Sequence, residues 1–128
     1  MTEAYDWYIH QGQDESFQAR WSEDEVVVDL SLWSAAFQIR ESAASATAIF
    51  SRSTAAGNIT LDDETNILLT VPAATSSGWS VSALRPTKVV DGATWTDLGV
   101  YDLELTDPDD SVIRLVQGRV WISLEVTR

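Results

Sequence analysis

The 128-residue chain has no cysteine, one histidine and three prolines. Without cysteine there is no thiol nucleophile, Cys-ligated zinc, iron–sulfur cluster or CxxC redox pair. The single imidazole, His10, is too little for a zincin motif or a His-rich metal cage, and any Ser/His/Asp triad would have to be built on it alone. It alternates with Asp6 and Tyr8 on the face away from Trp7 and Ile9, and reads as structural rather than as a general base. Basic residues are also scarce: eight Lys and Arg against twenty Asp and Glu give a formal charge of −12. They are scattered, so no groove or patch forms to neutralise phosphates, and neither nucleic acid nor an anionic membrane is expected as a partner. No apolar run approaches the ~20 residues of a membrane span. The segment from Met1 to Trp7 carries early acids where a signal peptide has basic and apolar regions, so the expectation is a chain that is made in the cytoplasm and stays soluble. For the same reason the sequon Asn58-Ile59-Thr60 reads as chance.

What is present is alternation. With 45% hydrophobic residues and this length, the chain fits one domain, residues 1–128, large enough to bury a core without staples. Tyr5, Trp7 and Ile9 alternate with polar or smaller neighbours, as do Phe17, Ala19 and Trp21; Val26, Val28 and Leu30; and Trp33, Ala35, Phe37 and Ile39. Ser42 to Ala48 reads as either a loop or one helical turn. Gly57-Asn58 turns into Ile59-Thr60-Leu61, Asp62-Asp63-Glu64 turns again, and Ile67, Leu69 and Val71 complete a hairpin ended by Pro72. Trp79, Val81 and Ala83 predict another strand, and Arg85 to Leu98 a long connection holding Pro86, Asp91-Gly92 and Trp95. Tyr101, Leu103 and Leu105 lead into the turn Asp107-Pro108-Asp109-Asp110, and Ile113 and Leu115 return antiparallel. Gly118 is expected at a bulge or tight bend, and Val120, Ile122, Leu124 and Val126 line one face of a last strand reaching Arg128, with no processed tail. Roughly eight to ten strands without an amphipathic helix predict an all-β, antiparallel sandwich.

Motifs for chemistry are absent or weak. The acidic clusters Asp14-Glu15, Glu23-Asp24-Glu25, Asp62-Asp63-Glu64 and Asp107 to Asp110 all fall at expected turns. Calcium is their sharp reading and solvated turns the favoured one, because no D-x-[DN]-x-[DN]-G loop exists and Pro108 stiffens the last cluster. Carboxylate pairs for glycoside hydrolysis are a spatial matter that spacing does not reveal. Gly78-Trp79-Ser80-Val81-Ser82 lacks the final glycine of a nucleophile elbow. The six glycines are too dispersed to cradle phosphate. No catalytic, cofactor or metal residue is therefore assigned, and the chain is expected not to be an enzyme. Six tryptophans are the unusual feature. Trp7, Trp21, Trp33 and Trp79 fall in register with apolar neighbours and are expected in the core. Trp121 sits with Ser123 and Glu125, off the apolar face, and Trp95 lies in the polar connection. Exposed indoles suit a contact surface, so Trp95, Trp121 and, more weakly, Tyr8 are candidate protein-interface residues. The bland alternatives are a second packed sheet over Trp121 and a loop folded back at Trp95.

Asn58-Ile59-Thr60-Leu61, Ile67 to Thr75, Val100 to Asp109, Arg114-Leu115 through Gly118-Arg119-Val120 and Glu125 to Arg128 resemble the small β-sandwich tail-tip and collar proteins of long-tailed bacteriophages. Asp29-Leu30 followed by Ala36 to Arg40 is similar to their earlier strand pair. The resemblance implies an immunoglobulin-like fold and a virion structural role in the tail collar or baseplate. It also implies a homo-oligomeric ring, with tube, tip or fibre subunits as neighbours, and no catalytic residues or cofactor. Asp110 departs from it where glycine is usual, and the stretch from Trp79 to Leu98 is longer than the usual connection. The other readings are a carbohydrate- or receptor-binding module in which Trp95 stacks on a sugar, and a head decoration or spike protein.

Overall fold

The computed structural model describes residues 3–62, 66–82 and 84–124. The element order is β1 (Glu3–Ala4), β2 (Trp7–His10), β3 (Glu15–Ala19), β4 (Ser22–Glu23), β5 (Val26–Val27), β6 (Ser34–Arg40), β7 (Phe50–Ser53), β8 (Ile59–Leu61), β9 (Ile67–Val71), α1 (Ala73–Ser77), β10 (Thr87–Val90), β11 (Ala93–Thr106) and β12 (Val112–Ser123). The large sheet runs β1-β12-β11-β6-β7, with β10 paired to β11 and β2 to β12; β3-β9-β8 form the second sheet and β4-β5 a short ribbon. Two sheets facing one core make a β-sandwich. The order β3-β9-β8 against β12-β11-β6-β7 follows the B-E-D and G-F-C-C′ arrangement of immunoglobulin-like domains.

The core is where period-two alternation predicts it. Phe37, Ile39, Leu103, Leu105, Val120 and Ile122 of the large sheet are fully buried against Ile67, Leu69 and Val71 of the small one. Immunoglobulin domains often bridge strands B and F with a disulfide; here the rings of Phe17 on β3 and Tyr101 on β11 lie 5.6 Å apart, with Phe37 5.4 Å from Phe17. Edge-to-face packing of Trp7 on Phe17, at 5.1 Å, extends the aromatic cluster across the sheets and replaces the cross-link with buried area.

Several expectations change. Among the described residues there are twelve strands rather than eight to ten, because β1, β4 and β5 are two-residue strands too short to show periodicity. The sandwich is not wholly antiparallel: β1 and β2 pair parallel with β12. Tyr5 lies between β1 and β2 and is exposed, and the run from Val26 leaves the sheet after Val27, although Leu30 is buried. Ser42 to Ala48 forms turns and bends with no helix.

After Pro72 the chain makes the one-turn helix α1, and residues 79–82 form no strand; Ala83 lies outside the described residues. The side-chain amide of Gln11 donates to the carbonyls of Ser76 and Trp79, which ties this segment to the N-terminal strands in place of a ladder. Trp79 packs edge-on against Phe50.

The predicted long connection is a hairpin. β10 and β11 are joined by Asp91-Gly92, both at positive φ (52° and 82°), as a two-residue turn matched to the twist of its strands requires. Gly118 marks no bend. It sits mid-strand opposite Tyr101, and a Cβ there would stand 2.0 Å from the Tyr5 carbonyl oxygen. The glycine is needed because Tyr5, where the chain steps from β1 to β2 along β12, passes this close to it. The irregularities in the β11–β12 ladder fall instead between Asp97 and Gly99 and between Leu103 and Glu104. β12 ends at Ser123 and Leu124 is exposed; Val126 and the predicted strand end at Arg128 lie outside the described residues. Asp63 and Glu64 do also, but the β8–β9 pairing around them is antiparallel as expected.

Candidate interaction surface

Strand pairing brings the three candidate residues together on the solvent-facing side of the large sheet. Tyr8 on β2 is in register with Trp121 on β12, and Trp121 with Asp97 on β11. Trp95 lies two residues from Asp97, on the same side, and pairs across the hairpin with Lys88 on β10. Residues in register share a face of a sheet, so these side chains must meet.

They do so around Lys88. Its ammonium sits 4.1 Å from the Trp121 ring centre and 4.8 Å from that of Tyr8, and it donates to the Tyr8 hydroxyl. Trp95 meets Tyr8 and His10 edge-on, both at 5.2 Å. The Trp121 indole N–H donates to the Asp6 carboxylate at 3.3 Å. Each contact holds a ring or a cation in place while leaving it accessible: Tyr8 stays 36% exposed, and Trp95, Trp121 and Lys88 are half-buried.

Beneath the patch lies Asp97, a carboxylate at 5% exposure. Arg119 donates to it at 2.8 Å and Arg85 stands 3.3 Å away on the other side, held also by its own bond to the Asp97 carbonyl. The Asp97 oxygen facing Arg85 has ion-pair proximity but no aligned hydrogen bond. A buried charge with two cationic neighbours is costly to strip of either, so the triad fixes the base of the hairpin.

Further along the same face, Arg40, Asp102, Glu104, Arg114 and Arg119 line an open depression of about 680 Å³. On the core side of β11, the Tyr101 hydroxyl donates to the Tyr5 carbonyl at 2.6 Å. Burial, with smaller contributions from Tyr5 and Asp6, pushes the Tyr101 phenol well above the ordinary tyrosine range. In the acidic turn, Asp107 spends one carboxylate oxygen on the N–H groups of Asp109 and Ser111, and Asp110 takes the left-handed conformation usually left to glycine (φ 66°). Among the described residues, no three His, Asp or Glu side chains gather as metal ligands, and no helix is long and apolar enough to cross a membrane.

Of the tryptophans expected in the core, Trp7 is buried, whereas Trp21, Trp33 and Trp79 are half-buried and pack on its margin. Lys88, Asp97, Arg85 and Arg119 escaped sequence reasoning. The signal that could have found them is Asp91-Gly92 between Val89-Val90 and Thr94, a hairpin turn that pairs Lys88 with Trp95.

No family model matches the chain, and no curated protein matches it. Among solved structures, extracellular domains 3–5 of Drosophila OTK align over 91% of this chain and 32% of that one, at 10% identity and a TM-score of 0.39. This chain thus spans about a third of that structure's length. The fold assignment rests on the strand pairing described above.

Proposed function

We propose that this chain is a non-enzymatic structural subunit of a bacteriophage tail, in the collar or baseplate of the virion, acting through protein–protein contacts made by the outer face of its large sheet. The setting is supported by the resemblance of the Val100 to Asp109 hairpin and its flanking strands to phage tail sandwiches. The mode of action is carried by one observation, the convergence of Tyr8, Trp95 and Trp121 around Lys88 on a solvent-facing surface. Aromatic side chains that are already ordered bury large area at low entropic cost, as contact surfaces require. A sugar platform needs an open indole face. Here Lys88 lies over Trp121, and Trp95 is engaged at the rings of Tyr8 and His10, which favours a protein neighbour over a carbohydrate. Tube, tip and fibre subunits are the neighbours this reading proposes.

The test is assembly of particles with the double variant Trp95→Ala, Trp121→Ala. The reading predicts a folded protein that is no longer incorporated. Normal incorporation of the variant contradicts it.

A further inference from the structure

Charge is unevenly placed on this molecule. Five of its eight basic residues, Arg40, Arg85, Lys88, Arg114 and Arg119, lie on the outer face of the large sheet or its rim. Five of its twenty acids, Asp6, Glu41, Asp97, Asp102 and Glu104, lie there with them, so the face balances in charge between the acidic turns at its ends, Asp91 on one and Asp107 to Asp110 on the other. Among the described residues the rest of the surface carries twelve acids against Arg20 and Arg52 alone. Two copies of this chain repel across any approach that brings those acidic regions together, whereas the outer face meets its own kind without net repulsion.

The signs on that face also run in rows. Asp102 and Glu104 project from β11, and Arg114 and Arg119 from the neighbouring β12, with Glu104 in register with Arg114 and Trp121 with Asp97. Within one chain the Arg114 guanidinium stands 3.3 Å from the Asp102 carboxylate, and both stay partly exposed. A two-fold axis along the seam between these strands carries β11 of one copy onto β12 of the other. Glu104 then faces the partner's Arg114, and Arg114 the partner's Glu104, while Trp121 comes over the partner's Asp97. The area suffices. The strands of the large sheet, β11 and β12 the longest, total 47 residues, and at about 3.4 Å per residue and about 4.8 Å between strands they present on the order of 770 Å² per copy, the size of an ordinary specific interface.

We infer that the outer face of the large sheet is a self-complementary surface that pairs two copies of this chain about a two-fold axis along the β11–β12 seam. The inference rests on the proposed function only in taking this face as the contact surface, and it names a second copy as the occupant. An isologous contact of this kind closes at two copies, unlike the head-to-tail contact that builds a ring.

Native mass spectrometry and sedimentation across concentration test it, using the full chain, Glu104→Lys, Arg114→Glu and an equimolar mixture of the two variants. Thermal melting confirms that each is folded. The wild type is expected to dimerise at micromolar concentration, and each variant to associate at least about tenfold more weakly, because both charge contacts become repulsive. In the mixture, the lysine introduced at position 104 of one chain meets the glutamate introduced at position 114 of the other, while the native Glu104 and Arg114 that remain face each other. A one-to-one heterodimer is therefore expected to return. Contacts within one chain cannot produce that rescue. A wild type that stays monomeric, one that forms a larger ring, or a mixture that does not pair overturns the inference. A monomeric wild type whose Trp95→Ala, Trp121→Ala form is nevertheless excluded from particles overturns the dimer and leaves the tail reading standing. An intact dimer with normal incorporation of that form does the reverse.

Discussion

The two faces of the large sheet are built by the same strands from alternate residues, and they do different work. On β11, Tyr101, Leu103 and Leu105 point inward and are buried, while Asp102, Glu104 and Thr106 face water. On β12, Val120 and Ile122 join the core, and Arg119, Trp121 and Ser123 lie outside. The inner face holds the sandwich together through aromatic and aliphatic packing. The outer face adds little burial and carries the ordered cation–aromatic cluster around Lys88. Because a shift of one residue exchanges the faces, the core fixes the register, and the register in turn places Tyr8, Trp121, Trp95 and Lys88 side by side.

Substitutions sharpen this contrast. The largest effect is expected from Phe37→Ala, since Phe37 is fully buried among the rings of Trp7, Phe17, Phe50 and Tyr101. Its loss is expected to destabilise the fold by about 3–5 kcal/mol, read from denaturant unfolding. Gly118→Ala forces the Tyr5 carbonyl away from β12 and is expected to cost about 1–3 kcal/mol, with weaker amide protection over β1 and β2. Asp97→Ala leaves Arg85 and Arg119 without their shared partner. Both arginines reach water, so a loss of about 1–2 kcal/mol is expected, below that of a fully buried pair, and with it faster hydrogen exchange in the β10–β11 hairpin.

Tyr101 separates the faces by pH. Its phenol is held above the ordinary range in the folded protein, whereas the unfolded chain ionises near pH 10. Above about pH 10 the unfolded state therefore binds fewer protons than the folded one, and stability falls as pH rises. Tyr101→Phe is expected to lose about 1 kcal/mol at neutral pH with its bond to Tyr5, and to show a shallower alkaline decline in melting temperature. The smallest effect on stability, about 1 kcal/mol or less, is expected from Trp95→Ala or Trp121→Ala, which remove ring contacts but little core. A cost comparable to that of Phe37→Ala would place these tryptophans with the core and dissolve the distinction.

The sandwich was legible because its core strands alternate cleanly: Phe37 and Ile39, Ile67 to Val71, and Tyr101 to Leu105 all face where periodicity puts them. What was not legible lies where periodicity has no purchase. β10 and the start of β11 have Val89 and Val90 exposed, so their sequence shows no buried side, and only the Asp91-Gly92 turn betrays the hairpin. Trp79 looked like a strand residue because Ser80 and Ser82 alternate with it and Val81, yet its backbone is held by Gln11 and its ring by Phe50. Trp95, Trp121 and Tyr8 stood out singly by exposure or register. Their proximity depends on the parallel β2–β12 pairing, a long-range contact that local sequence does not encode.

The central claim is that the outer face makes contacts and the inner face makes the fold. Its most direct test is to measure melting temperature and native mass together on the double variant Trp95→Ala, Trp121→Ala. The account predicts a melting temperature close to that of the wild type with association lost. Association that survives, or that disappears only as the protein unfolds, would contradict it.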